Sequence, residues 1–538
     1  MSKFVLFYVG FVLLINAIIF PFFVSFYGLL LIIPAIGMFY AVRKLSGEKE
    51  IKVTNGLDLG MGWDIEDADS PRKVRVVLEE KSLDLGFLGI GGPGSGKSIG
   101  AIVFLIYYRL QRKIGWVYWE GKGDRDIYQK VTASCGTPDK FFSSELPDSD
   151  TTNVVAGPTN AVIEALTQTL ITSESDYYRN AQREALGAIV PLLKSCGKPI
   201  ILRDIYVVLK VDAAAQYVMD LAKENNVAAD IIEVAKQFFE KEPDARANDV
   251  NGLMTKMSMF VTGDIAERLN AYQPTLDLVE ASKKGECVYM HSPYSMLSKD
   301  ISIMFTEQIG VIAKNRQLYD DVRVSWPQVF DDWGKFFYAN VGAITARCRS
   351  AKMPVSYLFQ SRGQTDAVDQ SRIFTTEITD NIGGFISWRV NGQDTAEWVS
   401  KQFGTYESME ISASESSNHS GQSQSVQDKP LVRADKLKDM DAGECYISAL
   451  VAGEGGRSSN KRLKARFPLP EFSNEKEIQW PKPESIVNNS EAEGLHLWRE
   501  FMEKGKEEVL KAKIIQELEA REENSEKHSF ESTGEELT

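Results

Sequence analysis

The sequence has few of the residues that form disulfides or bind zinc. Its 538 residues include five cysteines and four histidines. The cysteines are odd in number and widely spaced, and no C-x-x-C pair or histidine at zinc-ligand spacing accompanies them. These absences exclude a disulfide-stapled secreted domain and argue against a structural zinc site. The bulk of the chain is therefore expected in a reducing compartment.

Positive charge is also in short supply. The chain has 61 Lys and Arg against 75 Asp and Glu, a net charge of -14. Such a balance argues against a protein that coats nucleic acid over its whole surface, so any DNA contact should be confined to a local basic channel. The length predicts roughly two to four domains, with ample sequence for a large core.

Charge is absent altogether from Phe4 to Val42, with Lys3 before the run and Arg43-Lys44 after it. A single helix of that length would rise about 58 Å, nearly twice the roughly 30 Å hydrocarbon core of a bilayer. A turn at Pro21 divides the run into two spans. We therefore expect a two-helix transmembrane hairpin, with a single tilted span or a re-entrant segment as the alternatives. The flanking positive charges place both termini on the cytoplasmic side.

A phosphate-binding loop follows an apolar, strand-like run that begins at Phe87. It matches the pattern G-x-x-x-x-G-K-[ST], with a proline-free helical stretch after it. Backbone N–H groups of such a loop cradle phosphates, the lysine reaches the β- and γ-phosphates and the hydroxyl completes a Mg²⁺ shell. The predicted nucleotide site comprises Gly91, Gly92, Pro93, Gly94, Ser95, Gly96, Lys97 and Ser98. The sequence thus predicts binding of ATP or GTP.

The pattern along the chain alternates between strands and helices, with one long helical interruption. Helical periodicity dominates between about Ser173 and Glu280, and strand character returns at Glu286–Met290. We predict an α/β protein: a RecA-like P-loop domain with an inserted all-α domain. The predicted boundaries are 1–46 for the transmembrane hairpin, 47–172 and 281–472 for the nucleotide-binding domain, 173–280 for the insertion and 473–538 for an acidic tail.

A second nucleotide motif closes the short strand at Pro327–Asp332. It ends in two acids and resembles a Walker B motif, in which Asp331 holds Mg²⁺ together with Ser98. Asp332 would then orient or deprotonate the attacking water. Most ATPases have glutamate at this second position, so the shorter aspartate predicts slow hydrolysis.

The order of the motifs resembles one family. Asp331-Asp-Trp-Gly-Lys335 is followed by Ala346–Lys352, which carries two arginines, and by the strand end Leu358-Phe-Gln-Ser-Arg-Gly-Gln364. Together with the amino-terminal hairpin, the phosphate loop and the helical insertion, these segments resemble type IV coupling proteins, the TraD/TraG-like ATPases of conjugation and type IV secretion. The resemblance covers roughly residues 1–470. A departure is Glu120-Gly-Lys-Gly-Asp124, where many members have Asp-Pro-Lys-Gly.

The resemblance implies two further catalytic residues. Arg349 corresponds to an arginine that reaches the γ-phosphate of a neighbouring subunit, and the alternative is a solvated helix arginine. Gln360 corresponds to a glutamine that senses the γ-phosphate or positions water, and the alternative is a satisfied loop amide. Lys122 has two open interpretations, a phosphate or DNA contact and a solvated loop lysine.

Two late segments carry no visible catalytic chemistry. Ser408–Asp428 is rich in serine and is expected to be a flexible loop. Leu495–Leu518 has a helical apolar stripe with Trp498 and Phe501 as possible docking anchors for a partner. The alternative is that this helix packs on the chain's own body.

The resemblance implies a membrane-anchored ATPase that uses ATP and Mg²⁺ and couples a relaxase-bound DNA strand to a type IV secretion channel. It further implies a homo-hexamer in the inner membrane, multi-pass, with the bulk of the chain cytoplasmic. Its partners would be the channel proteins and the relaxase–DNA complex or protein substrates, recruited in part through the tail. Two alternatives remain: a receptor for protein effectors with little DNA contact, and a nucleotide-stabilised scaffold that does not hydrolyse ATP.

Overall fold

The computed structural model describes residues 56–66, 70–319, 324–369, 371–416, 419–452, 458–472, 479–481 and 491–504. The expected transmembrane hairpin and most of the acidic tail lie outside these residues. Within them, no helix combines the length and the apolar character needed to cross a bilayer.

Thirteen strands build the β structure of the described chain. They are β1 Gly56–Asp64, β2 Arg72–Glu79, β3 Phe87–Ile90, β4 Val117–Glu120, β5 Lys140–Ser143, β6 Val288–His291, β7 Gln328–Asp331, β8 Val355–Phe359, β9 Gly384–Ser387, β10 Thr405–Ser416, β11 His419–Pro430, β12 Glu444–Ala452 and β13 Ser458–Arg466.

Eleven strands form one mixed sheet in the order β13-β1-β2-β12-β9-β3-β8-β7-β4-β6-β5, and β13 also pairs with β12. The run from β9 to β5 is parallel. Strands β3, β4, β6, β7, β8 and β9 are buried along their whole length, as expected of parallel strands covered on both faces. Their carboxyl ends meet at one edge of the sheet, where ligands bind in α/β folds.

Helices supply the crossovers and one long helical region. They are α1 Glu80–Leu83, α2 Lys97–Ile106, α3 Arg125–Cys135, α4 Thr159–Leu170, α5 Asp176–Ser195, α6 Leu202–Lys210, α7 Asp212–Glu224, α8 Ala229–Phe239, α9 Pro243–Val261, α10 Asp264–Leu269, α11 Leu278–Lys284, α12 Met296–Tyr319, α13 Val341–Ser350, α14 Arg362–Asp366, α15 Ile373–Asn381, α16 Gln393–Phe403 and α17 Ala434–Lys438. Between β5 and β6, in residues 144–287, the secondary-structure elements are the helices α4 to α11. The α/β class predicted from the sequence is confirmed.

The segment that precedes the phosphate loop contributes β1 and β2 to the main sheet. One expectation about local structure was wrong. The serine-rich segment expected as a flexible loop forms an antiparallel hairpin, in which β10 pairs with β11 from Thr405 opposite Pro430 to Ser416 opposite His419. Its polar composition hid the strand signal, since the alternation of apolar and polar residues that marks a half-buried strand is weak there.

Candidate nucleotide site

The phosphate loop joins β3 to α2 and is held by backbone contacts on both sides. Gly91 N donates to Phe359 O at 3.1 Å and Gly92 N to Arg389 O at 2.7 Å. Gly96 has a φ of +102°, and a Cβ there would lie 2.9 Å from the backbone nitrogen of Gly443. That position therefore requires glycine, for its conformation and for the close approach of a second chain segment.

The Gly443 segment ties the loop to the far strands of the sheet. Its backbone N–H donates to Ser95 O at 2.9 Å, and its own carbonyl accepts from Phe467 N at 3.0 Å. Beside this contact the Ser95 hydroxyl is buried without a hydrogen-bond partner in the described chain. An unpartnered buried hydroxyl in a loop of this shape fits a phosphate oxygen.

Lys97 and Asp332 face each other across the loop. The Lys97 ammonium, which is 6% exposed, donates to Gly92 O at 3.2 Å and lies 3.9 Å from Asp332 Oδ1. Asp332 follows β7 in a left-handed conformation with a φ of +52°. A non-glycine residue in that region stores strain, a feature that recurs at functional sites. The strained turn directs the Asp332 carboxylate toward the phosphate loop.

Gln360 completes this side of the site from the end of β8. Its amide nitrogen donates to Asp332 Oδ1 at 3.0 Å, while its backbone N–H donates to Gln364 Oε1 at 2.8 Å. Gln364 also packs against Gly334, where a Cβ would lie 2.1 Å from its amide oxygen. The second glutamine of the strand-end motif thus holds the first in place against the turn after β7.

Asp331 is buried one residue before Asp332. Its Oδ2 accepts from the Tyr118 hydroxyl at 3.0 Å and its Oδ1 from the Asp332 backbone N–H at 3.1 Å. Burial raises its pKa to about 6 and the charge of Asp332 adds to the rise, while the Ser98 hydroxyl, Lys97 and Tyr118 oppose it. A hydroxyl and a carboxylate side by side at a phosphate loop are the protein ligands that Mg²⁺ accepts.

Glu120 brings a third carboxyl group to the same corner, at the end of β4 and in register with Asp331. It is 1% exposed and accepts backbone N–H groups from Lys122 at 2.9 Å, Gly123 at 2.6 Å and Asp124 at 3.2 Å. Burial, with the charge of Asp331, raises its pKa to about 8 against these three donors. A bound cation would favour the ionised forms of these neighbouring carboxyl groups.

The site opens into a cavity of about 780 Å³. Its lining includes the loop from Pro93 to Ile99, together with Lys122, Asp124, Tyr294, Asp332, Lys335, Gln360 and Ala442. Lys122 forms an ion pair with Asp124 at 2.7 Å, and Lys335 lies over the Tyr294 ring at 4.7 Å from its centroid. The volume is ample for a nucleoside triphosphate.

Arg349 is the one predicted catalytic residue that the structure leaves away from this cavity. It is exposed on α13 and does not contribute to the described lining. The neighbouring Arg347 on the same helix is exposed as well. The other predicted residues, Lys97, Ser98, Asp331, Asp332 and Gln360, are brought together within one chain.

The start of the tail packs on the chain's own helices. This is the alternative that the sequence left open to docking on a partner. The Trp498 ring lies under the Arg203 guanidinium at 5.0 Å and near the Tyr206 ring at 6.1 Å. Phe501 lies 6.0 Å from the Tyr217 ring. The two predicted anchors thus contact α6 and α7 rather than standing free for a partner, and residues 505–538 lie outside the description.

Sequence reasoning missed Tyr118 and gave Glu120 only as a departure from a family motif. The sequence pattern could have paired them, because Tyr118 and Glu120 are two residues apart on β4 and so lie on the same face of the sheet. What the sequence did not give was the strand order that sets β4 beside β7 and brings Tyr118 and Glu120 to Asp331.

The fold and the site together define an α/β protein of the P-loop nucleotide-binding class. The family model described as the TraM recognition site of TraD and TraG matches residues 332–442. The unbound bacterial conjugative coupling protein TrwB is 12% identical, covers 77% of this chain and 90% of its own, and superposes with a TM-score of 0.54. The complex of TrwB with ADP and Mg²⁺ is also 12% identical and covers 77% and 89%, with a TM-score of 0.50.

VirB4 of Thermoanaerobacter pseudethanolicus is 11% identical and covers 78% of this chain and 97% of its own, at a TM-score of 0.46. No curated protein sequence matches the chain. At these identities the likeness to TrwB shows the fold. The family model, which covers residues 332–442, confirms the resemblance to TraD and TraG that the order of motifs predicted.

Proposed function

We propose that this protein is a membrane-anchored, Mg²⁺-dependent ATPase that recruits a relaxase-bound DNA or protein substrate and couples it to a type IV secretion channel. The observation that carries the proposal is the convergence of Lys97, Asp332 and Gln360 on the phosphate loop of a coupling-protein fold.

The phosphate loop would hold ATP through backbone N–H groups and the Lys97 ammonium. The buried Ser95 hydroxyl supplies a further donor. Ser98 and Asp331 would hold the cation, which when bound neutralises phosphate charge and orients the β- and γ-phosphates. The complex of TrwB with ADP and Mg²⁺ supports this assignment for the fold.

Asp332 would orient and deprotonate the attacking water. In the structure its Oδ1 is already engaged by Lys97 and Gln360. A γ-phosphate that drew Lys97 away would free that oxygen for water, with Gln360 keeping the carboxylate in place. Arg349, exposed on α13, would complete the site from a neighbouring subunit, so that hydrolysis depends on assembly.

Substrate recruitment would involve the segment from residue 332 to 442, whose family model is described as the TraM recognition site of TraD and TraG. That segment contains the β10–β11 hairpin, and it ends at Ala442 in the lining of the nucleotide cavity. A partner bound there would lie on the same stretch of chain that contacts the phosphate loop.

The decisive measurement is ATP hydrolysis by the full chain purified in detergent, with and without single-stranded DNA, over a salt series. We expect stimulation by DNA that falls as salt rises, because phosphate contacts release counterions. Lys97→Ala should abolish hydrolysis, since it removes the cation that binds the phosphates. Hydrolysis that ignores DNA, together with capture of a protein substrate, would favour the protein-receptor alternative. Nucleotide-dependent assembly without hydrolysis would favour the scaffold.

A further inference from the structure

Two tyrosines lie side by side on the sheet face behind the nucleotide site. Tyr118 of β4 and Tyr289 of β6 are register partners, and both are fully buried. Their rings meet edge to face, with centroids 5.4 Å apart. In burial they are a matched pair.

Their hydroxyl groups differ. The Tyr118 hydroxyl donates to Asp331 Oδ2 at 3.0 Å, whereas the Tyr289 hydroxyl is buried without a hydrogen-bond partner in the described chain. The difference follows from strand order, because β7 lies next to β4 and not next to β6. Tyr118 pairs with Val329, so its ring reaches diagonally along β7 to the carboxylate two residues further on.

Three donors hold the Asp331 carboxylate, and they differ in what a bound cation would do to them. The Ser98 hydroxyl, which contacts Asp331, would itself become a cation ligand. The Asp332 backbone N–H is fixed by the turn after β7. The Tyr118 hydroxyl approaches from the sheet interior, on the other carboxylate oxygen, and would keep its bond when the cation arrives.

We propose that Tyr118 is a positioning residue for Mg²⁺: its hydroxyl fixes the rotation of the Asp331 carboxylate and leaves Oδ1 aimed at the cation. The inference rests on the proposed function and adds a residue to it. Partners of metal-binding carboxylates act in this way in metal sites generally, and their loss costs about 10- to 100-fold in metal affinity.

The test compares Tyr118→Phe with Tyr289→Phe in the full chain. Each variant removes one buried hydroxyl from the same aromatic layer, but only the first removes a contact to Asp331. Binding of a fluorescent ATP analogue is titrated against Mg²⁺, and again in EDTA. For Tyr118→Phe we expect the Mg²⁺ midpoint to rise about 10- to 100-fold, with affinity in EDTA within about twofold of wild type. Tyr289→Phe should leave both values unchanged.

Equal Mg²⁺ midpoints for the two variants would overturn the inference. Loss of nucleotide binding in EDTA by Tyr118→Phe would also overturn it, because the hydroxyl would then support the fold rather than the cation. A wild-type chain that binds nucleotide in neither condition would overturn the proposed function and the inference with it. Those patterns are distinct, so failure at either level can be recognised.

Discussion

At the level of single residues, a buried carboxyl group far from the nucleotide site anchors the start of the tail. Asp204 is fully buried near the start of α6 and accepts the Tyr272 hydroxyl at 2.8 Å. It also accepts the backbone N–H groups of Ile201 at 3.0 Å and Leu497 at 3.1 Å. One side chain thus joins the helical region to a residue 293 positions away.

This carboxyl group predicts a pH dependence of stability. Burial raises the pKa of Asp204 to about 6 from its ordinary value of 3.8, against the hydrogen-bond donors that lower it. Between about pH 3.8 and about pH 6, the native state therefore holds a proton on Asp204 that the unfolded state has lost. Its contribution to stability is fully present below about pH 3.8 and is lost as the pH rises through about 6.

We expect Asp204→Asn to remove this dependence. Relative to the variant, the wild-type free energy of unfolding should fall by about 2 kcal/mol between pH 4 and pH 7, at about 1.36 kcal/mol for each unit of pKa shift, because a part of the shift has already taken effect at pH 4. Urea unfolding across that range measures the difference. Asp220→Asn, which changes an exposed carboxyl on α7, is the control. Parallel pH profiles for wild type and Asp204→Asn would contradict the prediction.

At the level of elements, the sequence predicted best the short strands that are buried along their whole length. The strand-like run expected to begin at Phe87 does begin there as β3, and the short strand expected within Pro327–Asp332 is β7, Gln328–Asp331. It predicted poorly where pairing depends on distant partners. The β10–β11 hairpin is held by its own backbone ladder, and the strands that flank the phosphate-loop strand are recognised only from the three-dimensional order.

The same limit applies to the site. The phosphate loop and the acids after β7 stand in short motifs, and each motif carries its own chemistry. The contacts of Tyr118, Gly443 and Asp204 join residues far apart in the chain, and one sequence holds no pattern for them. The sequence therefore identifies the functional groups of the motifs, and the folded sheet shows which residues contact them.

The β10–β11 hairpin should be separable from the nucleotide site. Its two strands form a sheet of their own, distinct from the eleven-stranded sheet that carries the phosphate loop. Replacing residues 407–428 by a short turn should leave the thermal midpoint within a few degrees and nucleotide affinity unchanged, because no strand of the main sheet loses a partner. Calorimetry and nucleotide titration measure both. A large fall in nucleotide affinity would show that the hairpin supports the site.

The start of the tail should behave in the opposite way. Leu495 and Leu497 are buried, and Trp498 stacks on Arg203. Ending the chain after residue 490 should therefore cost about 3–6 kcal/mol, from about 1.5–3 kcal/mol for each buried leucine. A chain that ends after residue 504 keeps these contacts and is the control. Equal thermal midpoints for the two truncations would contradict the packing described here.

At the level of the whole molecule, the position of Arg349 predicts complementation between subunits. Lys97→Ala removes the phosphate-binding lysine from its own site, and Arg349→Ala removes the arginine offered to a neighbour. Each variant alone should lack ATP hydrolysis. Mixed subunits should regain it, because about one interface in four in a random ring then pairs an intact lysine with an intact arginine.

The measurement is ATP hydrolysis across mixing ratios, with a maximum expected near equal amounts. Arg347→Ala, which changes the other exposed arginine of α13, is the control and should retain hydrolysis without mixing. Full activity of Arg349→Ala alone would contradict the assignment of this arginine to the site. A mixture that assembles but does not hydrolyse ATP would contradict its action across a subunit interface.

The pairing of β13 with β12 has a consequence for how the purified protein behaves in solution. Because β13 also pairs with β1, and β2 with β12, these four strands close on themselves within the described residues, and β13 is not left as a free edge of the main sheet. Exposed strand edges are the usual templates for aggregation, and closure removes them. At the other end of the main sheet, β5 is an edge strand of four residues, too short to template long strand pairing. Ordered self-association of this chain should therefore proceed through side-chain surfaces. A preparation that forms β-rich aggregates would point to the β10–β11 hairpin as their source.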